Sequence, residues 1–91
     1  MTRPSNKFII FSILPVSKTL ESKNPEINNL RIKRLNKSIS DLCLKTSVRF
    51  INIYPEYLDN QGYLDDKFHV GDGLHLNKIG YAIWIKHLDL L

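Results

Sequence analysis

An α/β fold built on a parallel sheet is predicted by three features of the chain. Residues 7–14 form a continuous apolar run rich in Ile and Phe, the pattern of a strand covered on both faces. Val48-Arg49-Phe50-Ile51-Asn52-Ile53-Tyr54 is a second β-branched and aromatic run, again suited to a buried strand. Between them, apolar residues recur at a helical period. Strand, helix and strand in that order make a βαβ unit, whose crossover is expected to be right-handed.

The first strand is expected to end at Pro15, which cannot donate to a ladder. Arg3 and Lys7 ahead of the apolar run imitate an export signal, but the residues that follow, Ser17-Lys18-Thr19-Leu20-Glu21, offer no small-residue cleavage site. Residues 17–24 are polar and read as a connection. Asn24-Pro25-Glu26 has the composition of a helix start, with Asn at the cap and Pro at the first helical position. From there Ile27, Leu30, Leu35, Ile39 and Leu42 define the apolar face of an amphipathic helix of about twenty residues. Pro55 closes the second strand. Residues 55–76 form a long irregular segment, with a turn signal in Asp59-Asn60-Gln61-Gly62-Tyr63. A loop of that length usually carries function. A last helix is expected from a cap at Asn77 to about residue 88, suggested by Ile79, Ala82, Ile83, Ile85 and Leu88, with Gly80 weakening its first turn.

Ninety-one residues suffice for one small domain with a thin core. The lone Cys43 excludes an internal disulfide and a multi-cysteine zinc site; between Leu42 and Leu44 it reads as a small buried hydrophobe. Residues 1–50 carry ten Lys/Arg against three Asp/Glu, a net of +7, and residues 51–91 carry three against six, a net of −3. The basic half lacks interleaved aromatics, so a solvated helix face explains it better than a nucleic-acid partner. No stretch approaches the ~20 apolar residues of a membrane span.

Asp72-Gly73-Leu74-His75-Leu76-Asn77 is the stretch richest in chemistry. It places a carboxylate three residues ahead of an imidazole, with Gly71 and Gly73 permitting a sharp turn between them. A general-base histidine needs its ring held in one tautomer, usually by a carboxylate on Nδ1. Asp72 and His75 can form such a pair. Equally, His75 can simply pack at the start of the last helix, with Asp72 chosen by turn chemistry. His69, Asp72 and His75 are three apart and supply zinc-type donors, although the two glycines argue against a helix that would put them on one face. Asp65-Asp66 reads as a solvated pair of loop acids. Tyr57, Tyr63, Tyr81 and Trp84 read as packing residues, and His87 as a residue favoured by the negative end of the last helix. No serine stands in a nucleophile's setting, a sharp glycine-flanked turn with backbone donors nearby.

Asp72 to Asn77, with Gly80-Tyr81 and Trp84, resembles the last conserved motif of the SGNH (GDSL-type) hydrolases. Ile13-Leu14-Pro15-Val16, Leu35-Asn36, Phe50-Ile51-Asn52-Ile53-Tyr54 and Leu58-Asp59-Asn60-Gln61-Gly62-Tyr63-Leu64 resemble the same esterases in the same order, over about residues 7 to 88. The resemblance implies a partial three-layer αβα, flavodoxin-like fold: a βαβ unit, a long loop and a carboxyl-terminal helix. It implies hydrolysis of acyl or O-acetyl esters on small carbohydrate or lipid-like substrates by a serine esterase, with His75 as base, Asp72 as its orienting acid, and no metal or cofactor. The family's Gly-Asp-Ser and Gly-x-Asn-Asp motifs do not occur in these residues. The 91 residues therefore correspond to one incomplete domain, the carboxyl-terminal half of a hydrolase. Such a half would be marginally stable and give little acyl-transfer catalysis without a nucleophile, with one edge of its first strand open to a complementing amino-terminal half or to self-association. The alternatives are an inactive truncated product, a partner-binding half-domain, and a small metal-binding module.

Overall fold

The computed structural model describes the backbone of residues 5–90 and the side chains of residues 8–90. Strand β1 (Ser5–Phe11) is followed by helices α1 (Lys18–Lys23) and α2 (Asn29–Thr46), strand β2 (Val48–Ile51), two 3-10 turns (Tyr54–Tyr57 and Asp66–Phe68) and helix α3 (Lys78–Asp89). The result is a small mixed α/β domain in which β1 and β2 form a two-stranded parallel sheet, with Ile9 opposite Arg49, Ile10 opposite Phe50 and Phe11 opposite Ile51. The βαβ unit is present, with one more helix in its crossover than expected.

That extra helix is α1. Residues 17–24 are not a bare connection, because Ser17 Oγ accepts from Leu20 N at 3.1 Å and caps a short helix. Asn24, expected to start the long helix, instead closes α1, its amide donating to Leu20 O. The long helix starts four residues later. Asn28 Oδ1 accepts from Arg31 N at 2.9 Å and is its cap, and Ser47 in the left-handed region terminates it. The second strand stops at Ile51, so Tyr54 lies in a 3-10 turn rather than at a strand end.

The packed face of α2 also differs from the expected one. Leu30, Leu35 and Leu42 are exposed, whereas Asn29, Ile32, Asn36 and Cys43 are buried. Leu35 and Leu42 each precede a buried residue by one position, which rotates them by about 100° around the helix. The rotation is set by two asparagines. Asn29 Oδ1 accepts from Val16 N and its Nδ2 donates to Val16 O, both at 3.0 Å. Asn36 does the same to Ile13, at 2.7 Å and 2.9 Å. These side chains replace the partner strand that the extended segment after β1 would otherwise need.

The apolar core lies mainly under the long loop. Ile53, Tyr57, Leu64, Phe68 and Leu76 form one buried cluster, with Phe11, Ile83 and Trp84 packed against it; Val16, Ile32 and Tyr54 form another. Gly80 belongs to this packing rather than weakening α3: a Cβ there would stand 2.5 Å from Phe68 O, and Tyr57 OH donates to Gly80 O at 2.8 Å. Consequently α3 turns Gly80, Ile83 and Trp84 inward and leaves Ile79, Ile85 and Leu88 exposed. The strands are less covered than their apolar sequence suggests. Phe8 is 64% exposed and Ile10 42% exposed, and among the described residues β1 is bonded along one edge only, by β2.

Asn29→Ala removes the acceptor of both buried Val16 N and the Tyr54 hydroxyl, and should cost about 2–3 kcal/mol in urea unfolding. Asn36→Ala should cost less, because Ile13 is 40% exposed and water can replace the lost partner. At rising concentration the protein should self-associate in sedimentation experiments, and Phe8→Lys should suppress this.

Candidate functional site

The loop between the second 3-10 turn and α3 is a closed structure held from both ends. An isolated bridge joins His69 to Leu76, and Val70 N donates to His75 O at 3.0 Å. Gly71 and Gly73 adopt φ of 115° and 76°, in the region that glycine tolerates. At Gly73 the need is also steric, since a Cβ would meet Ser17 Oγ at 2.1 Å. Ser17 N donates to Gly73 O at 3.0 Å and ties the loop to the start of α1. Asn77, the cap of α3, fastens the far side: its Oδ1 accepts from Gly80 N, and its Nδ2 donates to Lys67 O and His69 O.

Within this frame Asp72 and His75 meet as their spacing predicts. Asp72 Oδ2 accepts from His75 Nδ1 at 2.5 Å, while Oδ1 accepts from the backbone amides of Leu74 and His75, each at 2.9 Å. A carboxylate only accepts, so the bond places a ring proton on Nδ1, and in the neutral ring the lone pair is on Nε2. Nε2 has no hydrogen-bond partner among the described residues, and the imidazole is 71% exposed. The His75 ring, and then the two amides, hold the Asp72 carboxyl well below the usual carboxylate range. Asp72 also lines a hollow of about 460 Å³ with Ser17, Thr19, Lys23 and His69.

His69 has a different place from the one its spacing suggested. Its side chain is 8% exposed. Nδ1 accepts from Gly71 N at 3.0 Å and Gly73 N at 3.1 Å, and Nε2 meets Asp66 Oδ1 at 2.9 Å. With both nitrogens engaged, His69 does not converge with Asp72 and His75 on a metal. Among the described residues no three His, Cys, Asp or Glu side chains are arranged to hold one. Asp65 and Asp66 are not merely solvated: Asp65 caps the second 3-10 turn by accepting from Lys67 N, and Asp66 bonds His69. His87 pairs with Glu56 across the loop. Asp66-x-x-His69 repeats the spacing of Asp72-x-x-His75, a signal in the sequence that could have paired His69 with Asp66.

Compared with known proteins, the chain matches no family model, no curated protein and no solved structure. The geometry of the loop is therefore the basis for a functional reading. It provides an exposed basic nitrogen on a ring whose opposite nitrogen is fixed by an ionised carboxylate, which is the equipment of a general base. Two buried serines have hydroxyls that accept from backbone amides. Ser12 Oγ accepts from Ile53 N and Tyr54 N at 3.0 Å and 3.1 Å, and Ser17 Oγ caps α1. No helix among the described residues is long and apolar enough to cross a membrane.

The Asp72 carboxyl has a lower pKa folded than unfolded, so its contribution to stability is complete above about pH 4 and is lost as the pH falls below that. Asp72→Asn should flatten the acid limb of the thermal unfolding midpoint against pH, relative to the unaltered chain. Parallel acid limbs in the two proteins would refute the assignment of that ionisation to Asp72.

Proposed function

We propose that this chain carries the acid–base half of a serine esterase of the SGNH type, acting on ester bonds of small acylated or O-acetylated carbohydrate or lipid-like substrates. The observation that supports the reading is the Asp72–His75 bond through Nδ1, with Nε2 directed to open surface. In the proposed reaction Nε2 removes the proton of a serine hydroxyl as it attacks the ester carbonyl. It then returns that proton to the departing alkoxide. Asp72 keeps the ring in the competent tautomer and stabilises the imidazolium formed between the two transfers. The sequence has no Gly-Asp-Ser, so the proposal takes the serine and the oxyanion donors from residues other than these 91.

A second reading, a partner-binding half-domain, is favoured by the edge of β1 that has no strand partner among the described residues, beside exposed Phe8 and Ile10. Trp84 Nε1 is a buried donor with no partner among the described residues; it packs edge-on against Phe11, on the strand face opposite Phe8 and Ile10. The two readings are compatible, because a segment completing the sheet could also bring the nucleophile.

Mixed with an amino-terminal segment of an SGNH hydrolase that carries Gly-Asp-Ser, the chain should hydrolyse a short-chain acetyl ester. His75→Ala should lower that rate by about 10²–10⁴-fold. Equal rates from the unaltered chain and from His75→Ala, each mixed with the same segment, would remove the catalytic assignment.

A further inference from the structure

We propose that His69 is a positioning residue for the Asp72–His75 pair, acting as an uncharged hydrogen-bond acceptor that folds the Gly71–Gly73 turn around its Nδ1. The proposal rests on the reading of His75 as a general base, but its geometry and its test need no substrate.

The hydrogen bonds fix where the ring protons are. Gly71 N and Gly73 N both donate to His69 Nδ1, so that nitrogen carries no hydrogen. The ring proton is then on Nε2, where it is donated to Asp66 Oδ1. His75 is the reverse case, with its proton on Nδ1 facing Asp72. Two Asp-x-x-His pairs thus stand six residues apart in opposite tautomers. In the first pair the lone pair points inward and gathers backbone amides. In the second it points outward and is free for proton transfer.

The two pairs are joined by the turn itself. Asp72 lies between the two glycines whose amides His69 holds. Those amides have no other partner among the described residues, and Gly73 is buried against Ser17. Without an acceptor at the Nδ1 position, the buried Gly73 N–H would lose its partner, a cost the turn can relieve only by changing shape. A changed turn moves the Asp72 carboxylate away from the position where it meets His75 Nδ1 and two amides at once. Asp66, 93% exposed, is the lesser member of the set: it biases the tautomer of His69 while leaving the acceptor in place.

Side-chain ¹⁵N NMR of the full chain distinguishes the tautomers directly, above the ordinary histidine value of about pH 6.5. His75 should show the single Nδ1–H pattern and His69 the single Nε2–H pattern. His69→Asn places a carboxamide oxygen near the former Nδ1 and should preserve the His75 pattern. His69→Gln, similar in polarity but with its carboxamide nearer the former Nε2, should replace it with averaged nitrogens and speed amide exchange at Gly71 and Gly73. Retention of the Nδ1–H pattern in His69→Gln, or its loss in a folded His69→Asn, would overturn the proposal. Because every readout is spectroscopic, an absence of esterase activity would count against the proposed reaction and leave the role of His69 standing.

Discussion

The hydrogen bonds between the Asn29 carboxamide and the backbone of Val16 connect the helical scaffold to the functional loop. Val16 follows Pro15 in an extended segment that no strand accompanies among the described residues. Asn29 supplies the missing donor and acceptor from α2. Once fixed, Val16 O also accepts from Leu64 N, and the next residue, Ser17, donates to Gly73 O. One side chain on a helix thereby determines where two distant parts of the loop attach. Glu21 reinforces it, its carboxylate accepting from both the amide and the side chain of Asn29.

The distribution of apolar burial follows from this arrangement. The strands, though the most hydrophobic segments, are incompletely covered, while the irregular stretch from Ile53 to Leu76 contributes most of the principal core. Tyr57 is its centre: fully buried, packed edge-on against Phe68, and bonded to Gly80 O. Burial pushes the Tyr57 hydroxyl up to about 12, with Glu56 adding to the effect and the Trp84 amide opposing it. A loop packed in this way can hold side chains in fixed geometry, which is what acid–base chemistry demands of it.

The two histidine pairs show how the same short pattern serves two ends. Asp66–His69 is turned toward the backbone and shapes the turn; Asp72–His75 is turned toward solvent and offers a base. The difference lies in exposure and in which ring nitrogen meets the carboxylate. Neither is written in the spacing, which is identical for both. The depressed Asp72 carboxyl is the electrostatic counterpart of that geometry, since the negative charge is stabilised by the ring and by two amides at once.

The sequence by itself determined the α/β class, the parallel pairing of its two apolar runs, the burial of Cys43 and the cap at Asn77, and it offered the meeting of Asp72 with His75 as one of two readings. Each depends on local chemistry: β-branched runs, a capping side chain, or a carboxylate and an imidazole separated by a glycine turn. Only the tertiary structure decided which face of α2 is buried, because Asn29 and Asn36 are recognised as inward residues only when the backbone of Val16 and Ile13 stands opposite them. The inward Gly80 was likewise settled by distant partners, Tyr57 and Phe68, whereas the helix start at Asn28 and the capped turn at Ser17 rest on local bonds to Arg31 N and Leu20 N. His69 follows the same rule at the site: its composition and spacing suited a ligand, but the two glycine amides brought to its Nδ1 made it an acceptor that shapes the loop.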